Sequence, residues 1–285
     1  MSVRTRPTSR LGLFVLPSLI GLFVSFLIPL IVVAWLTTQS WDLISAPEFV
    51  GWENFLAAAS DPAIRNSLRA TAILVAVTVP VEIVLALAVA LLLKPRRPGG
   101  TIFRAVLVLP WVAAPLATGI MWRWIFAPTD GLLSTISGRR IEWIVDPVGA
   151  VLIVAFVMVW GSVGYLSLFF LAGLLAIPDS LHEAAALDGA GRWQRLVHVS
   201  LPMLRPSIIF VVVIATAQTL TTFDQVFALT GGGAGTSTDV LALRMYSAAF
   251  ETFDLGTAAV IAVGMLIALT VITALTLRLR RSADA

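Results

Sequence analysis

The chain has 285 residues, 59% of them hydrophobic and only 12% charged, at a mean hydropathy of +0.97. A soluble domain carries about 25% charged residues, so this composition specifies an integral membrane protein with nothing left over for a soluble domain of useful size. The absence of cysteine excludes a disulfide framework and any Cys-ligated metal or redox site, and the formal charge of +3 is no signal for nucleic acid, because the basic residues stand at the ends of apolar runs, where they orient spans.

Arg4, Arg6 and Arg10 precede an apolar run over 11–36. It exceeds the roughly 7–15-residue core of a signal peptide and lacks a small-residue cleavage site. It reads as a first span, long enough to cross ~30 Å of hydrocarbon with some tilt. Residues 37–67 are polar, with Trp41 and Trp52 suited to the membrane interface. The second span, 68–93, is expected to break at Pro80 and ends on the basic turn Lys94-Pro-Arg-Arg97. The third, 103–126, should kink at Pro110 and Pro115, with Trp122 and Trp124 at its far end. A fourth span over 149–177 leads into a polar bracket over 178–206, followed by a fifth span over 202–222. An outer loop over 223–254 precedes the sixth span, 255–277, which closes on Arg278, Arg280 and Arg281. The predicted fold is all-α: a single six-span transmembrane domain over residues 1–285.

Six spans put both termini on one side. Thirteen of the 19 basic residues share that side, while Arg65, Arg69, Arg123, Arg139, Arg140 and Arg244 lie opposite. The termini and the bracket are therefore expected in the cytoplasm. No internal repeat of 20–50 residues stands out, which weakens a secondary-carrier reading.

The bracket does not read as a passive loop. Pro178 and Asp179 stop the fourth span, and Ser180-Leu-His-Glu183 has the form of a capping box. Ala184 to Leu187 are strong helix formers, and Gly189 and Gly191 permit a sharp turn. Trp193, Leu196 and Val197 stand at i, i+3 and i+4, so they should form a face lying against the ends of the spans.

The spacing of Glu183-Ala184-Ala185, Asp188-Gly189-Ala190 and Leu201-Pro202 resembles the EAA loop of permease subunits in binding-protein-dependent ABC importers. Leu196 and Val199 stand where that family usually has Phe and Ile, swaps that keep the apolar face. Phe103-Arg104…Leu109-Pro110 and Trp122-Arg123-Trp124…Gly131-Leu132-Leu133 look like its carbohydrate-uptake subfamily. Thr230-Gly-Gly-Gly and Tyr246…Ala249-Phe250 look more like the maltose-permease first-subunit type, although Ala234 replaces the usual Pro. The resemblance implies that residues 178–206 are a coupling loop docking into a cleft of a cytoplasmic ATPase. It also implies a bacterial-type plasma (inner) membrane and a heterodimeric permease with a second six-span subunit, two ATPase copies and an extracytoplasmic sugar-binding protein.

The Gly-rich stretch Thr230–Thr236 is no P-loop, which needs Gly-Lys-Ser/Thr; the only lysine is Lys94. The chain is thus expected to be no enzyme and to bind no cofactor, ATP and Mg being used by partner ATPase subunits. Asp188-Gly-Ala-Gly-Arg192 loosely resembles the start of lipid-head-group transferases, but no acid follows it up to Pro206 to ligate a metal, and no metal site is expected. His182 and His198, the only histidines, have no triad partners in the spans.

Glu82 is the one acid well inside a span. It is either a pore-side hydrogen-bond acceptor or a structural tie to a neighbouring helix. Trp160, Ser162 and Tyr165 in the fourth span, with Gln218, Thr219 and Thr222 in the fifth, offer hydroxyls, an amide and aromatic plates without countercharge. That set suits a sugar or polyol, and the small and hydroxylated residues equally suit helix packing. A secondary carrier or channel, which needs no ATPase, is the alternative.

Overall fold

The computed structural model describes residues 9–94, 100–232 and 237–283. The chain divides into two compact units, residues 1–60 with 245–263 and residues 61–244 with 264–285. Arg4, Arg6, Arg96, Arg97 and the Gly233–Thr236 part of the Gly-rich loop lie outside the described residues.

In the first unit, α1 (Ser9–Leu22) continues through a π-helical turn (Phe23–Leu27) into α2 (Ile28–Leu36). The stretch Leu16–Leu36 carries no charged residue and none of it is buried, the signature of a rod meant for lipid or a partner. A short antiparallel hairpin, β1 (Gln39–Ser40) with β2 (Glu48–Phe49), departs from the all-α expectation. Asp42 closes it, one carboxylate oxygen accepting from the Ile44 and Ser45 amides and the Ser45 hydroxyl. Asn54, on α3 (Glu53–Ser60), donates to Thr37 O and Gln39 O at 2.9 and 2.8 Å and holds the hairpin to the end of α2.

The second unit is built around α8 (Pro147–Leu175), capped by Asp146, which accepts from the Gly149 amide at 2.6 Å. Its membrane stretch is 61% buried, against 28% for α4 (Pro62–Leu93), so α8 is the inner helix and the others shield it from lipid. Near its start Ile153, Val154 and Val157 pack with Leu74, Val226 and Leu229. Near its end Leu166, Phe170 and Leu174 pack with Ala86 and Ala90 of α4 and with Leu204 and Val211. Residues 159–164, including Gly161, Ser162 and Gly164, fall between the two clusters. In lipid such packing gains no transfer free energy, so it depends on close contact. A β-carbon on Gly164 would overlap Leu107 O of α5 (Gly100–Val112), so only glycine lets these two backbones touch.

Four helices are long and apolar enough to cross a membrane, and two bent pairs raise the number to at most six. The second span runs unbroken through Pro80, contrary to expectation. Val79 and Glu82 beside it are buried against neighbouring helices, and membrane helices tolerate the missing N–H in such settings. Where the sequence placed a third span, α5 runs on through Pro110, contrary to expectation, and then meets α6 (Pro115–Ile125) at 90°. Pro115 holds Ala114 extended, with ψ 125°, which ends α5 and starts α6. Where a fifth span was expected stands the short α12 (Arg205–Leu220), 16 residues with about 24 Å of rise, at 70° to the segment Arg192–Met203. Short helices α7 (Leu132–Ser137) and α14 (Leu241–Phe250) stand in the intervening chain, and α15 (Leu255–Ala283) holds the last apolar run.

Gly164→Ala should lower the thermal unfolding midpoint of the detergent-solubilised protein, at an overpacking cost of about 1–3 kcal/mol. Gly264→Ala, where a β-carbon meets nothing within 4 Å, should be neutral or stabilising in the same measurement.

Candidate functional site: a polar cavity and a helical bracket

Two interrupted helices face each other in the second unit. α5 gives way to α6 at Ala113-Ala114, and α12 gives way to α13 (Asp224–Leu229) at Thr221–Phe223. Gly119 of α6 lies directly on α13, where a β-carbon would come within 2.5 Å of Ala228 Cβ. Between these breaks and the middle of α8 is a cavity of about 280 Å³, at the lower edge of the roughly 300–1,000 Å³ usual for small-molecule sites.

Glu82 reaches the cavity from α4 and is 1% exposed. Ser162 Oγ donates to its Oε1 at 2.5 Å, while its Oε2 has no partner. Gln218, Thr222, Asp224 and Gln225 also line the cavity, and none makes a side-chain hydrogen bond among the described residues. Trp111 forms an apolar wall, stacked on Tyr165 with ring centroids 4.3 Å apart and planes 5° from parallel. The arrangement offers free hydrogen-bonding groups opposite a flat indole.

Of the residues the sequence singled out, Glu82, Ser162, Gln218 and Thr222 meet here. Glu82 ties α4 to α8 through Oε1, while Oε2 is buried without a partner among the described residues. Tyr165 stands behind Trp111 rather than on the cavity. Thr219 is fully buried and donates to Ala215 O at 2.9 Å, a packing role. Trp160 sits edge-on to Trp122 at 5.3 Å and lines a separate apolar crevice of about 710 Å³. Trp111, Asp224 and Gln225 went unpredicted. Their signals were the prolines flanking Trp111 and the polar run that continues past residue 222.

The bracket consists of α9 (Asp179–Leu187), α10 (Arg192–Arg195), a π-helical turn (Leu196–Ser200) and α11 (Leu201–Met203). The expected Ser180–Glu183 capping box does not form. Pro178 occupies the N-cap and Ser180 falls inside the first turn. Gln194 instead accepts from the Gly191 amide at 2.8 Å at the start of α10. Glu183 is therefore free of a capping duty: it is exposed and has no partner among the described residues. Ala184 and Asp188 are exposed beside it, Ala185 and Ala190 half-buried, and Leu187 is 90% exposed. Gly189 has φ +80° and closes α9, with Ala190 N donating to Ala185 O at 2.9 Å and Gly189 N to Ala186 O at 3.1 Å.

Trp193 is 74% exposed, so it does not share the half-buried face of Leu196 and Val197. The π turn that begins at Leu196 alters the periodicity on which that face was predicted. Leu201 is half-buried and Pro202 exposed, while Leu204 is completely buried and pins the return into α12. On the other side Lys94 Nζ lies 3.3 Å from His182 Nε2, joining the end of α4 to α9.

Long apolar helices, two of them interrupted around a polar cavity, together with a projecting polar bracket, define a multi-pass membrane transport protein. The chain belongs to the family of binding-protein-dependent transport system inner membrane components, which matches residues 82–284, and it is a permease subunit of an ABC importer. It is 34% identical over 242 residues to the sulfoquinovosyl glycerol transport system permease SmoG of Agrobacterium fabrum, covering 83% of this chain and 78% of that one. It is 34% identical to the sn-glycerol-3-phosphate transport system permease UgpA of the same organism, covering 93% and 92%. Identity to the trehalose/maltose transport system permease MalF of Thermococcus litoralis is 32%, covering 87% and 85%. A solved bacterial ABC transporter that imports the acidic polysaccharide alginate shares the fold, with a TM-score of 0.82 at 20% identity and 95% coverage of both chains.

Desolvation first, and then the Lys94 charge, holds the His182 imidazole below its ordinary value of 6.5. Neutral His182 accepts from Lys94; protonated, it repels it. The folded pKa lies below the unfolded one, so the contact's stabilisation is present above pH 6.5 and is lost as pH falls through the depressed value. The unfolding midpoint of the wild type should therefore drop between about pH 8 and about pH 5. His182→Gln, which keeps an acceptor and cannot protonate, should remove that part of the slope.

Proposed function

We propose that this chain forms, with a second six-span permease, the membrane pathway of an ATP-driven importer for a sugar or related polyol. The solute is delivered by an extracytoplasmic sugar-binding protein. Two copies of a cytoplasmic ATPase bind ATP and Mg, and this chain binds no cofactor and catalyses no reaction. Counting each bent pair as one span gives six, with both termini and residues 178–206 in the cytoplasm.

The observation that carries the reading is Glu183. It is a carboxylate with no partner among the described residues, on an exposed Ala-rich helix beside Leu187 at 90% exposure, and it has no capping role to explain it. A charge beside an apolar knob suits insertion into a cleft with a basic residue at its edge. Glu183, Ala184, Ala185, Asp188, Gly189 and Ala190 form the docking surface, and Leu201 and Pro202 set the return. Relatives named for trehalose/maltose and sulfoquinovosyl glycerol transport support a sugar-like solute. Within the pathway, Glu82, Ser162, Gln218 and Thr222 are the hydrogen-bonding groups and Trp111, backed by Tyr165, the stacking plate. Trp160 and Thr219 act as framework.

Glu183→Gln should weaken ATPase co-purification. Glu183→Lys should abolish it together with uptake, by far more than tenfold if the pair is desolvated, while the permease still inserts. Wild-type transport by Glu183→Lys would reduce the bracket to a structural element. A reporter fused after Arg281 should be cytoplasmic and one within residues 130–140 external; the reverse result for residues 130–140 would remove the six-span topology.

A further inference from the structure

α9 is held to the rest of the chain by very little. None of its residues is buried. Among the described residues, its one side-chain hydrogen bond to another element is the contact of His182 Nε2 with Lys94 Nζ at 3.3 Å. Lys94 is a fixed point: it caps α4, its backbone N–H donating to Ala90 O, and the preceding Leu93 is buried in the cluster that holds Leu174, Ile177 and Leu204. His182 and Ala185 are the half-buried residues of α9 and stand three apart, on one face. Glu183 and Leu187, four apart, are exposed on another. With no buried side chain to fix how it is turned, α9 depends for that on its two ends and on the Lys94 contact.

We infer that Lys94 and His182 are the positioning pair of this helix: while His182 is neutral their contact turns the Glu183–Leu187 face toward the ATPase, and protonation of His182 breaks it, so that engagement of the ATPase weakens as the cytoplasm acidifies. The inference rests on α9 being the docking helix on the cytoplasmic side. His182 acts through the orientation of α9 and not by meeting the ATPase. The charged groups facing it are Lys94 from α4, Asp179 from the first turn of α9 and Arg195 from α10. Desolvation, and then two cations against one acid, disfavour a proton on the imidazole. The contact is therefore intact at neutral pH and is lost on acidification.

The test uses nanodiscs holding both permeases, titrated with their ATPase, with affinity and solute-stimulated hydrolysis read between about pH 7.5 and about pH 5.5. Each variant is compared with His182→Gln in the same buffer, which cancels the pH dependence of the ATPase itself. His182→Gln keeps an acceptor for Lys94 and cannot take a proton. It should match wild type at the upper pH and bind the ATPase about fivefold more tightly than wild type at the lower, the worth of one polar contact. Lys94→Met leaves α9 unaltered and removes the contact, so it should be about fivefold weaker at the upper pH and insensitive to acidification, whereas Lys94→Arg should restore binding. Asp179→Asn removes the acid that favours the protonated ring and should move the wild-type midpoint to lower pH, and Arg195→Gln should move it higher. A contact that only stabilises the bracket would move neither midpoint. If wild type and His182→Gln run parallel over the whole range and Lys94→Met binds normally, the positioning role is wrong. Glu183→Lys separates the two levels. If it also binds normally, the docking reading falls as well; if it alone loses the ATPase, the docking surface stands and only the role of Lys94 and His182 is removed.

Discussion

Within hydrocarbon, a helix can be interrupted only where protein or enclosed water receives the backbone groups set free. The second unit contains two such interruptions, at Ala113-Ala114 and at Thr221–Phe223, and both open on the same cavity. This is why α8 has to be an inner helix. It supplies the wall against which both breaks are held, and its small residues let the neighbours come close enough to seal them. Gly164 receives the backbone of α5, and Gly161 leaves room beside Gln225, whose Nε2 would lie 3.7 Å from a β-carbon there. The polar segment of α8 then falls between two apolar clusters that close its ends. A polar chamber with greasy ends is a consequence of satisfying the broken backbones, and the same chamber is what a hydrophilic solute requires.

Much of this was legible from residue types alone. Hydrophobic run length located the four long apolar helices to within six residues at either end, because a helix must cover a fixed thickness of lipid. The polar quartet Glu82, Ser162, Gln218 and Thr222 stood out because such groups are costly where lipid surrounds them. Proline was the unreliable signal. Pro80 sits inside a continuous helix, while Pro115 ends one, although both occur in apolar runs. The difference lies in the packing around them: Pro80 is flanked by buried Val79 and Glu82, whereas the break before Pro115 opens on a cavity. Sequence carries no record of that. Asp224 and Gln225 were hidden for a related reason, since the predicted span stopped at 222 and its continuation as a short helix depends on the partner surface offered by Gly119.

The bracket shows the same limit on a smaller scale. Ser180 and Glu183 have capping-box spacing, yet Pro178 takes the cap and moves the frame by two residues. Gly189 was predictable because the left-handed conformation it adopts is strained for any residue with a β-carbon. The exposure of Trp193 was not, because it follows from a π turn further along the chain rather than from local preference.

Cavity and bracket share two elements, and this bears on how an ATPase could act on a solute. α8 lines the cavity at Ser162 and reaches the bracket at its end, about 20 Å further along the helix axis. α12 starts at the bracket and ends in the break that holds Thr222. The corner between bracket and α12 is closed by Leu204, which is completely buried, in the cluster formed by the ends of α4 and α8. A β-carbon on Gly173 would lie 2.8 Å from Leu204 Cδ2, so there is little room for this corner to flex. If the bracket is displaced, α8 and α12 must move with it as levers. The place where such motion can be absorbed is the broken ends of α6 and α13, which are the walls of the cavity. The interruptions therefore serve twice: they admit polar groups among apolar helices, and they are the joints at which a displacement of the bracket would reach the cavity.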